Sequence, residues 1–329
     1  MNYIFITLPN EKVLDIENGI FKDLKNCTNL KFVSVYRKSK NGIINFCKRI
    51  IFSDKINSYI KISFKKWLYD FLPKIINKKE EYCFIIPTAV LNKIELSYIY
   101  KLKKEYANFK FVLLIIDSIE AHSPHLKFAK KKIFTDIWDA RLTFDKFDAK
   151  KYNFQYFGYS YYSNFNDVEA NKDVSDIYYI GRFKGGRENF IGEIFDFLKN
   201  KVHCKFKILV KNKQDKNYGF EVLDQPLTYP EVISDVKSTN CILEILQNDQ
   251  KTQSLRYFEA VAYNKKLLSN NPNLHKLPFY NPKYMKHISS VADIDWEWVK
   301  KKEKIDYHYN NEFSPTNLLT FLDNYFKKV

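Results

Sequence analysis

Three stretches of the chain carry residue types and spacings that could do chemistry. The first is Tyr178-Tyr179-Ile180-Gly181-Arg182-Phe183-Lys184-Gly185-Gly186-Arg187, an apolar run that opens into glycines and cations ahead of a helical pattern. Glycines let backbone N–H groups approach a phosphate, and a helix N-terminus adds positive potential. Arg182, Lys184 and Arg187 would add charge-assisted bonds, with Arg suited to bidentate contact. A solvated basic turn would read the same way. The second stretch runs from Gln253 to Asn270. On a helix, Leu255, Phe258 and Ala262 share an inward side, and Arg256, Glu259 and Tyr263 share another. An Arg–Glu surface pair on an ordinary helix is the plainer alternative. Asn264 stands where a helix end tolerates left-handed backbone. The third stretch, Ile116 to His125, follows the most apolar run of the chain and holds Asp117, Glu120, His122 and His125. A carboxylate or imidazole there could take the proton of an attacking hydroxyl, or could simply cap a helix. Asp117 and His122 are the preferred candidates; Glu11, after the first apolar run, is another.

The elements that must position these residues alternate. Strands are expected at Tyr3–Leu8, Lys31–Tyr36, Tyr82–Pro87, Phe109–Ile116 and Ala140–Phe144, with apolar residues at helical spacing from Leu91 to Asn108. Strands separated by helices imply a parallel sheet with crossover connections, whose ligands bind beyond the carboxyl ends of the strands. The segment Gly158–Asp173 lacks periodicity and is expected to link two domains, 1–160 and 174–329. The pattern then restarts. Strands are expected at Ile177–Ile180, Phe206–Val210, Cys241–Ile245 and Lys266–Ser269, and helices at Asn189–Leu198, Thr228–Val236, Ser254–Tyr263 and Thr316–Phe326. Two domains also suit a length of 329 residues.

In order and wording these stretches resemble bacterial lipopolysaccharide and capsule biosynthesis transferases of the GT-B class. Gly181 to Arg187 resembles their "GR-x-KG-R", and Leu255 to Asn270 their "LR-x-FEA…KKL-x-(T/S)-N". Leu142-Thr143-Phe144-Asp145-Lys146-Phe147-Asp148-Ala149-Lys150-Lys151-Tyr152 resembles their "T-F-D-x-x-D-A-K-K-Y". The likeness covers roughly residues 109–290. It implies an α/β fold of two Rossmann-like domains facing each other across a cleft, with the C-terminal helix returning to the N-terminal domain. It implies a nucleotide-sugar donor, a UDP-sugar as first choice, held by the second domain, with no metal or other cofactor. Glu259 matches the carboxylate that holds the donor ribose, which suits a cis-diol because two oxygens can accept. Arg182, Lys184 and Arg256 match cations beside the diphosphate, where they would stabilise the departing charge. Gly181, Arg187 and Ser254 lie beside them, and Tyr229 is expected at the base. Retaining members carry two Glu residues separated by seven others. Lys251 stands where the first would be, and Glu244 is the available substitute. Asp117, Glu120 and His122 become candidates for the catalytic base. The implied acceptor is a lipid-linked oligosaccharide of the cell envelope.

The net charge of +16 calls for a polyanionic partner. From Val35 to Lys79 there are twelve Lys or Arg and two acids, Asp54 and Asp70. Ile60, Phe64, Trp67, Leu68 and Phe71 recur there at helical spacing beside Lys61, Lys65 and Lys66, a pattern suited to an anionic membrane surface or to an ordinary core-facing helix. No run is long enough to span a bilayer, and the acids after the first strand argue against a signal peptide. Five scattered cysteines fit a reducing compartment. Together these place the protein in the cytoplasm, peripheral on the inner face of the membrane. The Asp293-Ile-Asp295 run reads as surface, and the six dispersed histidines offer no metal motif. The rivals are a basic nucleic-acid-binding protein, for which no RNP, zinc-knuckle or helix-turn-helix pattern is present, an enzyme transferring a phosphate-linked group, and an inactive transferase-like scaffold.

Overall fold

A computed structural model describes residues 1–329 except 10–18, 38, 54–55, 57–62, 70–76, 78, 120–129, 184–185, 211–218, 248–249, 251 and 329. The chain forms two compact units: Met1–Tyr161 together with Ser314–Val329, and Tyr162–Phe313.

In the first unit the strands are β1 (Asn2–Thr7), β2 (Leu30–Ser34), β3 (Tyr82–Pro87), β4 (Phe109–Ile115), β5 (Ala140–Thr143) and β6 (Gln155–Tyr156). Its helices include α1 (Gly42–Ile51), α2 (Thr88–Leu91), α3 (Leu96–Glu105) and α4 (Lys146–Tyr152). The sheet order is β2-β1-β3-β4-β5-β6, every pairing parallel. All six residues of β3 are buried. Crossover helices cover both faces of a parallel sheet, so its central strands read as unbroken apolar runs. Phe84, Phe111 and Leu113 lie at the centre of this core.

Of the expected helix from Leu91 to Asn108, α3 covers Leu96–Glu105, and the short α2 precedes it across a break at residues 92–95. Tyr69 enters the break. Its hydroxyl accepts from the Glu95 amide at 2.8 Å and donates to the Lys93 carbonyl at 3.2 Å. These main-chain groups are thereby paired outside a helical ladder.

The second unit repeats the plan with β7 (Ser175–Arg182), β8 (Cys204–Leu209), β9 (Glu221–Leu223), β10 (Thr239–Glu244), β11 (Lys266–Ser269) and β12 (Met285–His287). Its helices among the described residues are α5 (Glu188–Leu198), α6 (Tyr229–Ser238), α7 (Leu255–Ala262) and α8 (Trp296–Lys300). The order β12-β11-β10-β7-β8-β9 is again parallel throughout. Asn264 takes left-handed backbone, φ 51°, just past α7. The Glu231 carboxylate reaches back to the Thr228 amide at 2.6 Å and closes the first turn of α6.

Residues 162–173, expected to link two domains, belong to the second unit. Tyr162, Ser163 and Phe165 are buried. Asn171 donates from its side chain to Asp235 at 2.9 Å and from its amide to the Ser234 carbonyl at 3.0 Å. Burying those aromatic rings outweighs the lack of regular structure.

The last helix, α9 (Thr316–Phe326), packs on the first unit. The buried Tyr3 hydroxyl donates to the Asp323 carboxylate at 2.6 Å, with the Leu319 carbonyl at 3.1 Å. Ser314 donates to Asp23 at 2.8 Å. Tyr3→Phe should lower stability by about 1 kcal/mol and speed proteolytic release of the tail beyond Phe313. An unchanged urea midpoint and cleavage rate would show that this hydroxyl does not anchor the helix.

Candidate functional site

The second sheet winds outward from β7 to β9, then restarts at β10 and winds the other way to β12. The direction reverses between β7 and β10, and the carboxyl edge at such a point is where open α/β sheets bind ligands. The carboxyl ends of β7 and β10 and the first turn of α7 meet at this edge, and most of the singled-out residues of this unit sit there.

Glu244 is the last residue of β10 and is fully buried. One carboxylate oxygen accepts from the Ser254 amide and hydroxyl, both at 2.7 Å, and the other from the Ser269 hydroxyl at 2.6 Å. Burial pushes its pKa up, and these donors hold it down. Ser254 caps α7, accepting from the Arg256 amide at 3.2 Å. Glu244 therefore ties the start of α7 and the end of β11 to the strand between them. With both oxygens engaged it braces this edge of the sheet.

Arg187 is a second brace. Its guanidinium donates to the Arg182 carbonyl at 3.2 and 3.0 Å and to the Ile245 carbonyl at 2.9 Å, spanning the reversal point. Gly181 has a packing reason to be glycine. A Cβ there would stand 2.4 Å from the Tyr179 hydroxyl. Gly186 takes φ 77°, left-handed backbone that suits glycine. Arg182 is exposed at the end of β7. Lys184 lies outside the described residues.

Arg256 and Glu259 pair one turn apart, Nη1 to Oε2 at 2.8 Å, with side-chain exposures of 13% and 0%. The surface ion pair considered as an alternative is thus a buried one. Tyr162, Tyr178 and Tyr229 surround it closely enough to couple electrostatically. Tyr229 lies near enough to favour the Glu259 carboxylate, yet its hydroxyl meets no partner in good hydrogen-bond geometry. Its ring packs on Phe165 and Tyr162, with centroids 5.1 and 6.4 Å apart. Desolvation raises the Glu259 pKa from 4.5 to about 7, with Arg256 and Tyr229 opposing the rise and Glu244 adding to it. The carboxylate has no path to solvent in this arrangement. Oε2 faces the guanidinium, and Oε1 meets no hydrogen-bond partner.

In the first unit, Asp117 follows β4 and is exposed at the carboxyl edge of its sheet. Its segment is pinned from both sides. The Ile116 amide donates to Thr88 Oγ1 at 3.4 Å, and the Ile119 amide to Asp148 at 2.6 Å. Asp148 is buried in α4, which Asp145 caps by accepting from the Phe147 and Asp148 amides. The T-F-D-x-x-D wording carries a cap, Asp145, and a strut, Asp148. Glu120, His122, His125 and Glu11 lie outside the described residues.

Of the residues expected at a membrane, Trp67 is 82% exposed and Lys65 is buried. A buried ammonium cannot meet lipid headgroups, so Lys65 leaves that set. Residues 63–68 form a 3-10 turn; the rest of the stretch expected to be helical lies largely outside the described residues. Lys61 lies outside the described residues, as does the side chain of Lys66. Asp293 binds the Ser289 and Ser290 amides, each at 2.8 Å, and Asp295 caps α8 and pairs with Lys286 at 3.0 Å. Among the described residues, no cluster of His, Cys, Asp and Glu could hold a metal ion.

No known protein family matches the sequence, and no curated protein does. Solved structures match in fold. Sucrose-phosphate synthase from Thermosynechococcus elongatus aligns at TM-score 0.56 and 9% identity, over 99% of each chain. The UDP-GlcNAc 2-epimerase of Methanocaldococcus jannaschii, in complex with UDP-GlcNAc and UDP, aligns at 0.53 and 12%, over 98% of this chain and 100% of that one. The OtsA apo structure aligns at 0.50 and 11%, over 98% and 99%. TarM aligns at 0.47 and 12%, and this chain spans 56% of its length. The fold is the two-sheet GT-B architecture.

Two predictions follow from the edge of the second sheet. Gly181→Ala should cost about 1–3 kcal/mol by overpacking, and Tyr179→Phe in the same chain should recover part of it. A double-mutant cycle without coupling would refute the contact. The second concerns Glu259. A carboxyl raised by folding binds its proton more tightly in the native state, so its contribution is largest below the ordinary pKa. That contribution falls as pH rises from 4.5 through about 7. The stability of the wild type minus that of Glu259→Gln should decline across that window and level off above it. Arg256→Met should cost about 3 kcal/mol at alkaline pH and less in acid, where Glu259 is protonated. Differences that stay flat with pH would place the titration elsewhere.

Proposed function

We propose that this protein is a nucleotide-sugar-dependent glycosyltransferase that takes its donor, a UDP-sugar, at the carboxyl edge of the second sheet. The observation that carries the reading is the buried Arg256–Glu259 pair at the first turn of α7, beside the reversal point of a Rossmann-like unit. Departure of the nucleotide develops negative charge on its diphosphate. Arg256 and the exposed Arg182, with Lys184, supply positive charge there in place of a metal ion. Glu259 holds Arg256 until the donor arrives and then turns to the ribose. Gly181, Arg187, Glu244 and Ser254 position these groups, and Tyr229 flanks the nucleoside. The base that accepts the proton of the attacking hydroxyl comes from Asp117, Glu120 or His122. Asp117 is the first choice, because its backbone is fixed by Thr88 and Asp148.

The acceptor in this reading is a lipid-linked cell-envelope glycan of the lipopolysaccharide, lipooligosaccharide or capsule type, met at the inner face of the cytoplasmic membrane. Its support is the sequence wording and the basic segment 35–79.

The test is a thermal-shift panel of UDP-, GDP-, CMP- and dTDP-sugars with and without magnesium. One class, UDP, should raise Tm independently of magnesium. The gain corresponds to about 2.7 kcal/mol at a hundredfold excess over Kd. Arg256→Met should abolish the shift, whereas Asp117→Asn should keep it and lose turnover. Indifference to every nucleotide would sink the proposal. The same fold serves a UDP-GlcNAc 2-epimerase, so the products must be identified. Conversion of the UDP-sugar into its C2 epimer, in the absence of acceptor, would replace transfer with epimerisation.

A further inference from the structure

Helix α1 is an anomaly in the first unit. Its sequence, Gly-Ile-Ile-Asn-Phe-Cys-Lys-Arg-Ile-Ile, is dominated by large apolar residues, yet none of its residues is buried. Ile43 is 74% exposed, Phe46 59%, Ile44 46% and Ile50 40%. Ile43, Phe46, Cys47 and Ile50 share one helical side, and that side faces water. Lys48 and Arg49 fall on opposite flanks of it. The helix is well started, because the Asn41 side chain accepts from the Ile43 and Ile44 amides at 2.8 and 3.3 Å. Its other end is the attachment. Ile51 packs on the core, and Phe52 stacks on Tyr36 with centroids 4.2 Å apart and reaches Tyr69 at 6.1 Å. Trp67, two residues before Tyr69, is itself 82% exposed.

The charge around this side selects its partner. From Val35 to Phe52 there are five cations, Arg37, Lys38, Lys40, Lys48 and Arg49, and no acid. A second copy of the chain would set five cations against five. Three of the four large exposed apolar residues of the helix, Ile43, Ile44 and Ile50, are aliphatic and offer no ring for a nucleic-acid base, which leaves Phe46 as its one stacking platform. An apolar strip flanked by Lys and Arg fits a surface that is apolar beneath an anionic layer. The helix follows β2, so it leaves the sheet at the carboxyl edge, the same edge that carries Asp117.

We infer that α1 docks the protein on an anionic lipid bilayer, with Ile43, Phe46 and Ile50 in the acyl boundary, Trp67 beside them, and Lys48 and Arg49 at the headgroups. This deepens the membrane-surface reading proposed above, on which it rests, and names the element that carries it. It takes the place of Lys65, which is buried. It is independent of the donor site.

Co-sedimentation of the full chain with vesicles of phosphatidylglycerol and phosphatidylcholine tests it, with phosphatidylcholine alone as the comparison. The wild type should bind the anionic vesicles, more weakly as salt is raised. The triple variant Ile43→Ser, Phe46→Ser, Ile50→Ser should lose about tenfold or more in partitioning. Lys48→Gln with Arg49→Gln should weaken binding to anionic vesicles only. Ile43, Phe46, Ile50 and Arg49 are exposed, and Lys48 gives up only its bond to the Arg37 carbonyl, so Tm and the nucleotide-induced shift should stay close to the wild type and certify folding. A triple variant that binds as well as the wild type overturns the assignment to α1 and leaves the membrane reading standing. A wild type that ignores anionic vesicles overturns both. A self-association of the wild type, or a retention of RNA, that the triple variant abolishes without any vesicle binding assigns the face to another partner and also overturns the inference.

Discussion

The carboxylate of Glu244 is the constraint on which the second unit's carboxyl edge depends. A fully desolvated carboxyl at the end of a central strand must collect hydrogen-bond donors, and it takes them from Ser254 and Ser269. That requirement fixes where α7 begins. It sets Arg256 in the first turn and turns Glu259 inward, toward Tyr162, Tyr178 and Tyr229. Arg187 closes the same edge from the other side, through the carbonyls of Arg182 and Ile245. Arg187 thus holds the ends of β7 and β10 together, Glu244 holds the start of α7 and the end of β11 to β10, and Arg182 stays an exposed cation beside them. The arrangement separates residues that hold the edge rigid from those left to meet a ligand, as a preorganised site requires.

The first unit solves a related problem with different groups. The segment after β4 carries Asp117 into solvent, and Thr88 and the buried Asp148 hold its backbone. Asp148 is in turn set by the cap that Asp145 gives α4. A wording that resembles a family signature is therefore explained locally by one cap and one strut. The opposite balance holds at α1. There the apolar residues are not absorbed by the unit's own core, and the cations that flank them decide what could cover them.

Much of the architecture was legible in the residues because parallel strands buried on both faces leave continuous apolar runs. Tyr82–Pro87 and Phe109–Ile115 are such runs. The strands β6, β9 and β12 were not legible. Each is two or three residues long at a sheet edge, too short for any periodicity. The break between α2 and α3 was invisible because it depends on Tyr69, more than twenty residues upstream. The helical nature of α1 went unread amid the surrounding lysines.

By itself the sequence determined the alternation of strands and helices, the left-handed turn at Asn264, and the clustering of Gly181, Arg182, Arg256 and Glu259 after particular strands. These follow from local sterics and from burial patterns that repeat along the chain. The tertiary structure alone decided that Arg187 and Glu244 are braces, that Lys65 is buried, that residues 162–173 pack with the second unit, and that α9 returns to the first. Each of these rests on a contact between residues distant in the chain, and a one-dimensional pattern records a side chain's type but not which distant group will satisfy it.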